Sequence, residues 1–219
     1  MKSCWRCGAP LLCVIWGIVT MQVNSTEQRD VPANGEGFYY FGYGSNLLSE
    51  RLQLQNPSAV QVAVGCLKGY KVAFGGFEQR LSSWGGGVAT IIPSPDDDVW
   101  GVVWHLKAAD QHSLDDQEGV QEGYYRPIEV QIQQENNEEM MCRTYQMNNF
   151  TSALPSPIYK EVICTGAKRS GLPAEYRKKL EAITTNNYNG TNPFIMKIRA
   201  MLNTLQNNTS VKDCLLKRC

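Results

Sequence analysis

The chain has 219 residues, 42% of them hydrophobic and 19% charged, which is enough for one core-forming domain and a tail but short for two full domains. Its 21 basic residues balance 21 acidic ones, so the formal net charge is zero. That balance argues against a nucleic-acid partner, whose binders usually carry a basic excess on one face.

The first 25 residues differ from the rest. Lys2 and Arg6 precede an apolar run from Leu11 to Val19 that is too short to cross a bilayer core, which takes about 20 apolar residues. It reads as a signal peptide over 1–25, and Val23 and Ser25 suit a cleavage after Ser25. N-x-S/T sequons at Asn149, Asn189, Asn207 and Asn208, besides one at Asn24 that cleavage would remove, agree with secretion. The product is expected to be extracellular and free of membrane, with retention in the ER lumen or a signal anchor as the alternatives. Residues 26–36 form a polar leader without evident structure, 37–186 a single domain, and 187–219 a C-terminal helix and a cysteine-bearing tail.

Within the domain, FYYFGY is aromatic and β-prone, and Gly44 and Ser45 break it. Asn46 then suits the cap of a helix running LLSERLQLQ, with Leu47, Leu48, Leu52 and Leu54 on its apolar side. From residue 60 to 106, VQVAVGCL, YKVAFG, GVATIIP and VWGVVWHL read as four strands. Turns are expected at Gly75–Gly76, Gly85–Gly87 and Pro93–Asp96. Ala108–Glu118 is helix-like, with Asp110 as a candidate cap. YYRPIEVQIQ and MMCRTYQM are strands about the hairpin QENNEE, and GLPAEYRKKLEAI is a helix with Pro173 in its first turn. Ile195, Ile198, Met201, Leu202 and Leu205 make a last amphipathic helix. Many short strands with interspersed helices indicate an α+β fold with a curled or barrel-like mixed sheet.

The cysteines divide with the cleavage site. Cys4, Cys7 and Cys13 fall in the signal segment, while Cys66, Cys142 and Cys164 lie in strand-like text and read as small buried hydrophobes. Cys214 and Cys219 are left to bridge each other or a second chain, and the odd number leaves one unpaired.

Motifs for metal, phosphate or covalent chemistry are missing from the mature chain. His105 and His112 are the only histidines, and there is no HExxH or P-loop. Ser45 sits in Y-G-S-N rather than in a nucleophile elbow. Asp96–Asp98 reads as a solvated turn, and Gly85–Gly87 as a hairpin turn rather than a phosphate loop. Catalysis, if any, is therefore expected to need no metal, cofactor or protein nucleophile. Two features remain. The strand–Gly–Ser–helix junction at Tyr43–Asn46 brings backbone N–H groups to a point suited to a carboxylate, though an ordinary strand–helix turn would look the same. LDDQEGV, residues 114–120, ends a helix with acids against an apolar flank, which is usually a solvated face; Asp115 and Asp116 are read that way.

Taken together, FYYFGYGSNLLSERLQLQNPSA, WGGGVATIIPSP, DDVWGVVWHL, HSLDDQEGV, EVQIQ…CRTYQM and GLPAEYRKKLEAI resemble, in order, the γ-glutamylcyclotransferases. The resemblance runs from Phe38 to Ile183, and YGSNL with LDxQEG carries its specificity. It implies a mixed αβ barrel around a cavity and a small γ-glutamyl compound as substrate. It also implies that Tyr40, Phe41, Gly42, Tyr43, Gly44, Ser45 and Asn46 form the substrate loop, with Gly42 where the family often has alanine. Glu118 becomes the catalytic carboxylate, and Tyr125, Tyr145 and Tyr159 become pocket aromatics. The resemblance alone suggests a homodimer. A γ-glutamylamine cyclotransferase acting on γ-glutamyl-lysine isopeptides, or a catalytically silent binding protein on the same scaffold, are the alternative readings.

Overall fold

β-Branched and aromatic residues dominate residues 60–106, and in the computed structural model, which describes residues 37–76 and 82–216 with side chains to 207, they form two long strands rather than four. β1 is Phe38–Gly42, β2 is Val60–Gly76 and β3 is Val88–Leu106. β2 and β3 pair antiparallel from Val60↔His105 to Gly75↔Val88. The breakers between the expected strands are absorbed as irregularities. Lys68 pairs with Asp98 and Tyr70 with Pro93, so the expected turn at Pro93–Asp96 is an excursion of β3 opposite Gly69, whose φ is +75°. Pro93 and Pro95 have no N–H to give a ladder and fit where the pairing is interrupted. Asp98 is a strand residue paired to Lys68, not part of a turn.

β4 (Tyr125–Gln134) and β5 (Glu139–Met147) form the expected hairpin. β1 lies antiparallel to β3 and parallel to β5, and β4 returns to β2 through Gly65↔Gln134 and Cys66↔Gln133. The ring β2–β3–β1–β5–β4 thereby closes on itself, with the short β6 (Thr151–Ser152) added at the end of β2. This is the expected α+β mixed barrel. Phe41, Ile91, Val102, Trp104, Ile132 and Tyr145 belong to its buried core. Each fully buried large apolar side chain of this kind contributes about 1.5–3 kcal/mol.

Among the described residues, five α-helices flank the barrel: α1 (Ser49–Leu52), α2 (Gln111–Glu118), α3 (Pro157–Arg169), α4 (Ala174–Glu181) and α5 (Pro193–Leu216). The helix expected after Asn46 is only a single 3₁₀ turn, Ser45–Leu47, followed by the short α1, and Leu54 is exposed rather than on a buried face. Asp110 precedes α2, but its carboxylate accepts from Ser58 N and Oγ instead of capping the helix. Cys164 lies in α3, not in a strand, because Ser156 caps that segment by accepting from Tyr159 N and Pro157 opens its first turn. Cys66, Cys142 and Cys164 are free thiols. In α5, Ile195, Ile198 and Leu202 are buried and Met201 and Leu205 pack on the core, as their spacing predicts. No described helix is long and apolar enough to cross a membrane. The signal peptide, the leader, Cys219 and the side chains of Asn208 and Cys214 lie outside the described residues.

α3 meets the Ser45–Leu48 segment through Gly166, where an added Cβ would stand 2.6 Å from Leu47 C and Leu48 N. Backbone cannot yield as a side-chain tip can. Gly166→Ala is therefore expected to cost about 1–3 kcal/mol, read as a lower urea midpoint with the m-value unchanged.

Candidate active site

α2 ends at Glu118 for a local reason. Gly119 takes φ 64° and ψ 44°, its N–H returns to Asp116 O and the N–H of Val120 returns to Asp115 O. This is a Schellman end, and a residue with a side chain would strain it. Four residues before Glu118, Leu114 is fully buried. The i, i+4 relation puts Glu118 on the same inward face of the helix, while Asp116 faces solvent and pairs with His112. Asp115 departs from its expected solvated role: it is half-buried, forms an ion pair with Arg143 at 2.7 Å and accepts from Tyr145 Oη at 2.5 Å.

Glu118 Oε1 accepts from Asn46 Nδ2 at 3.0 Å and from Gln117 Nε2 at 3.2 Å, and no described residue bonds Oε2. Asn46, expected as a helix cap, is a buried second support for the carboxylate. The same amide nitrogen donates to Tyr40 Oη at 2.8 Å, and Asn46 Oδ1 accepts from Gln117. Gln117 Oε1 in turn accepts from Arg51 Nη1 at 3.1 Å and from Asn56 Nδ2 at 3.2 Å. The Asn46 and Gln117 amides thus have their orientation set by their neighbours, with an N–H of each directed at the carboxylate.

A cavity of about 360 Å³ adjoins this network, a size that suits a small molecule. Of the residues expected at the site, Ser45, Glu118, Tyr125 and Tyr159 line it. Tyr40 and Asn46 reach it through their bonds to the Glu118 network, whereas Phe41 is barrel core. Gly42 stands against Asn46 O and Trp104, where a Cβ would lie 3.1 Å from each. Gly44 lets Ala89 and Tyr159 approach; a Cβ there would be 3.0 Å from Ala89 Cβ and 3.2 Å from Tyr159 Oη. Tyr43 donates to Tyr145 O, Tyr125 donates to Ala89 O, and Tyr159 Oη accepts from Ala89 N. Tyr145 meets the Tyr40 ring edge to face but spends its hydroxyl on Asp115.

Burial raises the Glu118 carboxyl above the ordinary value; the Arg51 charge and the bonds from Gln117 and Asn46 work against that rise, and Asp115 adds to it. Burial also pushes Tyr40, Tyr43 and Tyr125 well up and Tyr159 to about 12, so these are neutral phenols at physiological pH. Arg51 escaped the sequence reading. Its exposure is 7%, burial lowers its pKa while the Glu118 charge works against that fall, and it is the one Lys or Arg among the described lining residues. Its Nε has no acceptor among the described residues. The signal was present, since Arg51 stands between Leu48 and Leu52 on an apolar stripe, where a charge is out of place. Gln117, Trp84 and Phe194, also at the site, carried no such mark. Among the described residues, no three His, Cys, Asp or Glu side chains form a metal cluster.

A closed mixed barrel with a half-buried carboxylate and a buried guanidinium at a small cavity suits a small-molecule enzyme, and the AIG2-like family profile matches residues 98–180. Gamma-glutamylcyclotransferase of Bos taurus is 53% identical over 72% of this chain and 84% of its own length. That of Homo sapiens is 51% identical over 71% of this chain and 83% of its own. A solved gamma-glutamyl cyclotransferase structure superposes with a TM-score of 0.72 at 49% identity, covering 74% of this chain and 98% of that one. The chain belongs to the γ-glutamylcyclotransferase family, a family of enzymes.

Proposed function

We propose that this protein converts γ-glutamyl amino acids to 5-oxoproline and the free amino acid, with Glu118 moving the proton. The substrate's own α-amine attacks its γ-carbonyl carbon, the new C–N bond closes a five-membered lactam, and the old amide C–N bond breaks. Holding the two ends in contact is worth about 7–11 kcal/mol in favourable cases, so no protein nucleophile is required. Proton traffic is the remaining task. The α-ammonium must lose a proton before it can attack, and the departing nitrogen must gain one.

The observation that carries the reading is the two-sided Glu118 carboxylate. Oε1 is held by Asn46 and Gln117, and Oε2 is left to take the proton and hand it on. A carboxyl raised by burial suits both halves of that transfer. Arg51, buried and short of an acceptor, matches the substrate's α-carboxylate, and the Ser45 hydroxyl on the same cavity wall adds a donor. Release of 5-oxoproline from γ-glutamyl-L-alanine by the purified protein tests the reading. Preference for γ-glutamyl-ε-lysine over that dipeptide would move the assignment to the isopeptide substrate class, and release from neither would end it.

A further inference from the structure

One wall of the cavity comes from the C-terminal helix. Phe194, in the first turn of α5, lines the cavity together with Trp84 and Arg51. The Trp84 and Phe194 rings meet edge to face at 4.7 Å, and the Arg51 Cζ lies 6.0 Å from the first centroid and 5.7 Å from the second. That is the range in which a ring face attracts a cation.

The segment before α5 is tied to the Trp84 loop. Asn186 Nδ2 donates to Gly85 O at 2.8 Å and Asn192 Nδ2 to Ser83 O at 2.9 Å. Tyr188 lies so close over Gly85 that a Cβ there would stand 2.2 Å from its ring. Asn192 also caps α5, its Oδ1 accepting from Ile195 N at 2.8 Å, and Ile195 and Ile198 are fully buried. Phe194 is thus fixed on both sides in sequence. Arg51, by contrast, has no ion pair among the described residues and one bond, from Nη1 to Gln117. Two rings and one amide set the plane of its guanidinium, and a guanidinium grips a carboxylate only in that plane.

The geometry points to Phe194 as a positioning residue for the substrate's α-carboxylate: with Trp84 it holds the Arg51 guanidinium in place, so the C-terminal helix helps set substrate affinity. This rests on the reading above that Arg51 takes that carboxylate. The test is calorimetric binding in a Glu118→Gln background, where turnover does not intervene. γ-Glutamyl-L-alanine is compared with γ-aminobutyryl-L-alanine, which lacks only the carboxylate in question. Adding Phe194→Leu keeps bulk but loses the ring and should weaken the first ligand about fivefold, leaving the second unchanged. Phe194→Tyr should behave as the parent. The ratio between two ligands on one preparation does not depend on how much of it is folded. Equal weakening of both ligands, no weakening, or a Tyr variant as poor as the Leu variant would overturn the inference while leaving the Arg51 reading intact. A parent that binds both ligands equally, or neither, would overturn the Arg51 reading and this inference with it.

Discussion

Glu118→Gln is expected to bind a γ-glutamyl dipeptide with affinity near that of the unaltered protein, yet to release 5-oxoproline roughly 10²–10⁴-fold more slowly. Gln is close in shape and keeps an oxygen for the Asn46 and Gln117 donors, so the network around it is disturbed little. What it lacks is a proton-accepting site. In the unaltered protein the ionised form does the work, and burial has raised its pKa. Activity should therefore fall, as pH drops, at a higher pH than an ordinary carboxyl would give. The same shift bears on stability. A carboxyl whose folded pKa is raised stabilises the fold fully below its unfolded pKa, and that contribution is lost as pH rises through the folded value. Glu118→Gln should then melt at a higher temperature than the unaltered protein at neutral pH, with the gap closing in acid. Turnover within a few-fold of normal would remove Glu118 from the mechanism.

The second large effect is at Arg51. Arg51→Met is expected to lower kcat/KM about a hundredfold, mainly through KM, because a buried charge-assisted contact to the substrate is lost. Arg51→Lys should rescue only part of this, since an ammonium cannot reproduce the flat fork that lies within cation–π reach of Trp84 and Phe194. A companion effect separates Arg51 from a merely structural residue. Its charge holds the Glu118 carboxyl down against burial, so its removal should carry the acid limb of the pH–rate profile to higher pH. Steady-state kinetics across pH read both changes. An unchanged limb with an unchanged KM would show that the guanidinium faces neither substrate nor base.

The parts legible in the sequence were those written in local pattern. The apolar spacing from Ile195 to Leu205 predicts a packed α5, whereas the acids of LDDQEGV by themselves look like a solvated face and Glu118 stands out only through the family resemblance carried by YGSNL and LDxQEG. Ser156–Pro157 is an equally local start signal for α3, but the β-branched residues around it give the text before Cys164 a strand-like look. Other features were not local. Two strands of 17 and 19 residues look like four because Gly69 and Ser94–Asp97 interrupt the pairing, which resumes on either side through Lys68↔Asp98 and Tyr70↔Pro93. Closure of the barrel joins Gly65 to Gln134 and Tyr40 to Arg143, contacts that no window along the chain displays. Asn46 had the right type for a cap, but a carboxylate 72 residues away in sequence competes for its amide and wins. Phe194 becomes a site residue only when α5 folds back beside Trp84. The export reading rests on residues 1–25, outside the described residues, together with the sequons at Asn149, Asn189 and Asn207, all of which are exposed.

The most direct measurement is the fate of solvent oxygen when the purified protein consumes γ-glutamyl-L-alanine in heavy-oxygen water. Attack by the substrate's own amine predicts one 5-oxoproline for each alanine released, with no heavy oxygen in either product. Glutamate carrying the label would mean that water, not the α-amine, cleaves the amide, and would contradict the mechanism.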